Sequence, residues 1–345
     1  MLSVENLHVS FGIRRGNKNI TVNSVRGVSF QMQRGEILGI VGESGSGKTV
    51  TTTAIPGLHG ENATVTGNIW YNNSSSESAE SASFINLAEL SQSELRQYRG
   101  KKIGMIFQEP GRSFDPLQNM ESVFFEAFRN SDPEITKEEA FAKAARLMEE
   151  VGLPDPEKRL KNFPHQFSGG QLQRIGIALS LAQGCELLIA DEPTTALDVT
   201  IQAQIVELLR ELNKKRNLSI IFISHNINLV ADLCQNIIVM YGGIVMDKLT
   251  SQEVRNYMDS AETEFTTHSP YTSALLASTP KFGTHYTAQK MISIPGRVTD
   301  PSHPEPGCPF APRCSYAKEE CKCNLTSEGA LTCWKMNLNQ EEENV

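Results

Sequence analysis

Four short apolar runs, Ile37–Val41, Ile103–Phe107, Leu187–Ala190 and Ile220–Ile223, are each bounded by polar or glycine residues. Runs that are apolar throughout match strands buried on both faces, as in a parallel sheet, whereas half-exposed strands alternate apolar with polar positions. Helical periods occupy the gaps. Thr136-Lys137-Glu138-Glu139 has the capping-box spacing that opens a helix, with Gly152 as its stop. Ile201, Ile205, Leu208, Leu209 and Leu212 share one face of another helix. Strand followed by helix, repeated, predicts an α/β fold with ligand chemistry at the carboxyl ends of the strands.

The pattern changes character twice. Residues 72–83, NNSSSESAESAS, hold too little apolar surface to pack and read as a mobile surface loop. After about Leu249 the strand-like runs stop and prolines crowd residues 295–314, so a second, less regular domain is expected over 251–345, following a first over 1–250. The length of 345 residues fits two domains. With 39% hydrophobic and 21% charged residues and a net charge of −8, the chain reads as soluble and globular. That acidic balance excludes nucleic-acid binding through bulk positive charge. No run of about 18 apolar residues occurs, and MLSVENLHVS lacks the basic start of an export signal, so neither a membrane span nor export is expected.

Directly after the run Ile37–Val41 stands Gly42-Glu43-Ser44-Gly45-Ser46-Gly47-Lys48-Thr49, a complete G-x-x-x-x-G-K-[ST] phosphate loop. Its glycines let successive backbone N–H groups turn toward phosphate oxygens at the start of the next helix. Lys48 would hold the β- and γ-phosphates of ATP, and the Thr49 hydroxyl would ligate Mg²⁺. The run Leu187–Ala190 delivers Asp191 and Glu192: Asp191 suits Mg²⁺, and Glu192 suits orienting or deprotonating a water.

A third group gives the pattern its meaning. Gln108 follows one apolar run, His225 follows another, and Phe167-Ser168-Gly169-Gly170-Gln171 precedes an apolar helix. In the order and spacing of these elements, residues 1–250 resemble the ABC-transporter ATPases. Phe167–Gln171 resembles the signature motif, Gln108 the Q-loop glutamine, Ala196-Leu197-Asp198 the D-loop and His225 the H-loop histidine. The resemblance implies a P-loop NTPase fold of ABC type with a helical subdomain at about 109–180. It implies Glu192 as general base, His225 on the γ-phosphate, and Gln108 linking Mg²⁺ and water to the membrane-facing subdomain. Ser168, Gly169, Gly170, Gln171 and Asp198 would serve nucleotide held by a second ATPase subunit, and Phe11 would stack on adenine. Phe167 stands where Leu is commoner, and Asn226 where Asp is usual.

Five of seven cysteines fall in residues 308–333. Cys308, Cys314, Cys321 and Cys333 are spaced for one tetrahedral metal site, with Cys323 spare; four thiolates suit Zn²⁺ or an Fe–S cluster equally, and a structural cysteine set without metal is the alternative. Ile294-Pro295-Gly296, the run Gly307–Cys314, and His268-Ser269-Pro270-Tyr271 resemble the C-terminal extension of the oligopeptide and dipeptide importer ATPases. That resemblance implies a [4Fe–4S] cluster, with Cys333 rather than Cys323 where the family's final cysteine falls. It also implies partners: a second ATPase subunit, commonly a paralogue, two transmembrane permeases and an extracytoplasmic substrate-binding protein, with this chain at the cytoplasmic face of the inner membrane. Importers of nickel and oligosaccharides share the family. A soluble ABC protein acting on DNA or ribosomes is the rival from another class, but it usually carries two cassettes or long arms, and this chain has neither.

Overall fold

The structure is a computed structural model that describes residues 1–16, 18–73, 84–195, 197–260, 265, 268–279, 293–322 and 333. Most of the serine-rich stretch, Ala196 of the D-loop motif and Cys323 lie outside the described residues. Ten strands occur among them: β1 (Leu2–Arg15), β2 (Lys18–Met32), β3 (Ile37–Val41), β4 (Ala63–Asn72), β5 (Phe84–Asn86), β6 (Ile103–Ile106), β7 (Leu187–Asp191), β8 (Ser219–Ser224), β9 (Asn236–Tyr241) and β10 (Ile244–Thr250). Each of the four apolar runs is therefore a strand, although β6 stops one residue before Phe107.

The chain divides into two compact units. The first comprises Met1–Gln33, Leu38–Gln92 and Ser224–Val345, and so includes the residues beyond 250. Its antiparallel sheet has the order β2-β1-β4-β5. The hydrophobic pattern does not announce this sheet, because Leu2, Val4, Leu7 and Val9 are all buried while the register slips between Val4 and Leu7. Asn6 sits at that bulge with φ of 48°, so the alternation changes phase midway. Also in this unit, β3 pairs in parallel with β9, and β9 pairs antiparallel with β10. Beyond β10 come, among the described residues, the helices Ser251–Asp259 and Pro270–Ala277 and two short 3-10 turns, Ala311–Arg313 and Glu319–Lys322.

The second unit comprises Arg34–Ile37 and Ser93–Ile223. Its strands β6, β7 and β8 pair in parallel, Ile103 opposite Leu187 and Leu187 opposite Ser219. Every residue of β7 and β8 is buried, as uniform apolarity requires. The helix Lys137–Glu150 opens on the expected box, Thr136 Oγ1 accepting from Glu139 N–H at 3.2 Å. It stops at Gly152, whose φ of 74° most side chains avoid, and Arg174 donates to the orphan carbonyl of Val151 at 2.5 Å. In the helix Val199–Arg216, Ile205, Leu208, Leu209 and Leu212 are buried and Ile201 is half-buried. Among the described residues no helix is long and apolar enough to cross a membrane.

Candidate functional site

In the first unit the phosphate loop joins β3 to the helix Lys48–Ala54. A side chain at Gly42 would put its Cβ 2.1 Å from the Met240 carbonyl oxygen. Gly47 precedes the helix at φ of 97°, a left-handed conformation that suits glycine, and gives that helix no side-chain cap. Lys48 is buried, its Nζ donating to the carbonyls of Gly42 at 2.8 Å and Glu43 at 3.0 Å, which folds the loop around the ammonium. Ser44, Gly45 and Thr49 are exposed at the rim. Ser46 Oγ is buried without a hydrogen-bond partner, an arrangement that suits a phosphate oxygen or a bound magnesium ion. His225 is exposed just before the helix Ile227–Leu233. The neighbouring Asn226 caps that helix, its Oδ1 accepting from Asn228 N–H at 3.1 Å and Leu229 N–H at 3.3 Å, so the amide does the work a carboxylate would do there. Phe11 is half-buried in the ladder of β1, opposite Val22 and Ala63.

Glu43 is bound at every polar atom. Its N–H donates to Tyr271 Oη at 3.0 Å, its carbonyl accepts from Lys48 Nζ at 3.0 Å and Ser46 N–H at 3.2 Å, and its carboxylate takes both terminal nitrogens of Arg313 at 2.6 and 3.1 Å. The carboxylate hydrogen bond raises the Arg313 pKa above the usual guanidinium value. The sequence motifs hold each of these residues, but no spacing rule pairs them.

In the second unit Asp191 ends β7 buried, and Glu192 follows half-buried with φ of 46°, a left-handed conformation uncommon for glutamate. Glu192 N–H donates to the Ile223 carbonyl at 3.1 Å. Its carboxylate Oε2 accepts from Gln108 Nε2 at 3.1 Å and from Thr195 Oγ1 at 2.9 Å. Gln108 and Glu192 are thus brought together, and Thr195 is an addition that only the fold reveals.

Ser168 caps the helix Gly169–Leu181 in a reciprocal box, Gln171 N–H donating to Ser168 Oγ at 3.4 Å and Ser168 N–H to Gln171 Oε1 at 3.1 Å. Gly170 lets this helix approach closely, since a Cβ there would lie 2.7 Å from Ile201 Cγ2. Asp198 caps the helix Val199–Arg216, accepting from Ile201 N–H at 3.0 Å.

The cysteines divide differently. Cys185 is deeply buried, and burial pushes its thiol up to about 12, so it is an inert core residue. Cys308 is pushed up to about 11, by burial first, with the neighbouring Cys321 and Cys333 adding to the rise. Cys308 N–H donates to the Cys321 carbonyl at 2.7 Å, and Lys318 N–H donates to Cys321 Sγ at 3.4 Å. Sulfur donors with backbone N–H groups beside them fit a thiolate-held metal in kind. Among the described residues, however, no three metal-ligating side chains converge on one point. The expected metal-binding domain is therefore described only as an irregular segment packed in the first unit.

Residues 25–195 match the ABC transporter family, and residues 265–321 match the oligopeptide/dipeptide transporter C-terminal region. The dipeptide transport ATP-binding protein DppD of Bacillus subtilis is 41% identical, over 99% of this chain and 96% of its own length. The oligopeptide transport ATP-binding protein OppD of Escherichia coli is 37% identical, over 93% and 87%. Among solved structures, the ATP-binding cassette MJ0796, in a dimeric post-hydrolysis state bound to ADP and phosphate, superposes with a TM-score of 0.61. It is 26% identical, over 73% of this chain and 99% of that one.

Proposed function

The chain belongs to the ABC transporter ATPases that carry the oligopeptide/dipeptide C-terminal region, and from that membership we propose that it is the subunit that binds and hydrolyses ATP for a binding-protein-dependent peptide importer. The observation that carries this reading is the phosphate loop closed around buried Lys48 with Ser46 Oγ left for a ligand. Backbone N–H groups of the loop's glycines would face the phosphates, and Lys48 would neutralise their charge. Thr49, Gln108 and Asp191 would hold Mg²⁺, which when bound would supply neutralisation of phosphate charge. Glu192 takes the proton of the attacking water, and the hydrogen bonds from Gln108 and Thr195 orient that carboxylate. His225 contacts the γ-phosphate, and Phe11 stacks on the adenine.

In the same reading residues 1–250 form the ATPase domain, with the helical part at about 109–180, and 251–345 form an extension. Ser168 to Gln171 and Asp198 serve the nucleotide of a second ATPase subunit, so the chain works as a pair beneath two permease subunits, at the cytoplasmic face of the inner membrane, fed by a peptide-loaded binding protein. Cys308, Cys314, Cys321 and Cys333 would hold a [4Fe–4S] cluster once their thiols are drawn together by it, and the cluster would staple an extension with little core of its own. Iron and acid-labile sulfide assays on anaerobically purified chain test that assignment, and stoichiometric zinc without sulfide would refute it. The function is tested by reconstituting the chain with its permeases in lipid discs and measuring phosphate release. Stimulation by peptide-loaded binding protein supports the reading; stimulation by nickel or an oligosaccharide instead, or none, overturns the peptide assignment.

A further inference from the structure

Glu43 places a carboxylate inside a loop whose task is to hold phosphates, and like charges at such range oppose binding. The fold answers it with Arg313, 270 residues away in sequence. The Arg313 side chain is only 4% exposed, and its five N–H donors are all spoken for. Nε donates to the Pro295 carbonyl at 2.7 Å; one terminal nitrogen donates to Glu43 and to Tyr241 Oη at 3.0 Å; the other donates to Glu43 and to the Ile294 carbonyl at 3.3 Å. Tyr241 and Phe310 flank the guanidinium with ring centroids at 5.5 and 5.8 Å. Gly296, at φ of 82°, turns the chain so that a Cβ would lie 3.1 Å from Arg313 Cγ. The Ile294-Pro295-Gly296 turn is thus a collar for one arginine. Tyr271, packed edge-on to Phe310 at 5.2 Å, holds the backbone of the same Glu43.

We propose that Arg313 is a positioning residue for nucleotide binding. Carried on the Cys308–Cys314 segment, it neutralises Glu43 and, with Tyr271, clamps the phosphate loop in its receptive shape, so that the C-terminal segment completes the nucleotide site from outside the ATPase motifs. A planar, five-donor fork is needed, which lysine does not supply. Preorganisation of this kind acts on affinity rather than on chemistry. The inference rests on the phosphate loop being an ATP site, as argued above.

The test uses the full chain, titrated with a fluorescent N-methylanthraniloyl ATP and followed by amide hydrogen exchange over residues 42–47. Arg313→Met is expected to weaken binding about tenfold, below the usual scale for stranding one partner of a fully buried charge pair because the Glu43 side chain keeps 24% exposure. It should quicken exchange in the loop and raise KM while kcat at saturating ATP is kept. Arg313→Lys recovers part of the loss, and adding Glu43→Gln to Arg313→Met recovers affinity by removing the stranded carboxylate. Wild-type affinity and exchange in Arg313→Met would overturn the proposal, as would losses that simply multiply in the double variant. If Arg313→Met does not fold, Tyr271→Phe decides: faster exchange and weaker binding support the clamp, and unchanged values refute it. A wild-type chain that binds no nucleotide would instead bring down the ATPase reading on which the clamp depends.

Discussion

Gln108 Nε2 lies 3.1 Å from Glu192 Oε2 and donates to it, so the glutamine that follows β6 and the carboxylate that follows β7 form one hydrogen-bonded unit. Glutamate at φ of 46° is held there by its N–H bond to Ile223 and by Thr195, an expenditure of backbone strain that a merely solvated strand end would not need. Glu192→Gln keeps the shape and an acceptor for Gln108 but removes the base. Phosphate release is expected to fall by about 10²–10⁴-fold while nucleotide affinity stays within a few-fold of wild type. Near-normal turnover in that variant would remove Glu192 from the role.

Gly170 faces Ile201 closely enough that a methyl group would lie 2.7 Å from Cγ2, a branch carbon that moves only if the stiff χ1 of a helical isoleucine turns. Gly170→Ala should cost about 1–3 kcal/mol of stability, read as a lower Tm. Combining it with Ile201→Ala opens the space and should return part of the loss. An unchanged Tm in the single variant would mean that the two helices part without penalty.

Glu150 is held below the usual carboxylate range, first by its hydrogen bond from Arg216, against the opposing effect of burial, and then by the charges of Arg216 and Lys215. A carboxylate whose pKa is depressed on folding stabilises the fold above its unfolded value, near 4.5, and loses that contribution as pH falls through the folded value. The Tm gap between wild type and Glu150→Gln should therefore be open at pH 7 and close below about pH 4.5. A gap independent of pH would show that the pair does not titrate with folding.

Asp247 is buried and, besides the adjacent Lys248 N–H at 3.1 Å, serves two donors where the helix Pro270–Ala277 begins, His268 Nδ1 at 2.9 Å and Ser269 N–H at 2.8 Å. Asp247→Ala strands both, at about 1–3 kcal/mol for each buried group left unpaired. Thermal unfolding together with hydrogen exchange at residues 268–272 measures this, and protection equal to wild type would show that the motif docks without the aspartate.

The parallel strands were legible because burial on both faces writes itself as unbroken apolar runs, as in Ile220–Ile223. The antiparallel sheet was not, because the bulge at Asn6 reverses which residues face inward partway along β1. The site motifs were legible wherever one contiguous segment carries the chemistry, as in Gly42–Thr49. Ser168, Gln171 and Asp198 show the limit of that reading, since side chains expected to serve nucleotide are also the caps of the helices they open. The cysteine spacing suggested four convergent ligands, but spacing fixes order along the chain and not direction in space, and convergence is absent among the described residues. The Glu43 and Arg313 pair was illegible for the same reason.

That pair also fixes an order of events during synthesis. The phosphate loop is translated 270 residues before its partner arginine, so the nascent chain carries an uncompensated glutamate in that loop until Arg313 has emerged. A chain cut short before Arg313 would retain every ATPase motif and still lack a finished loop.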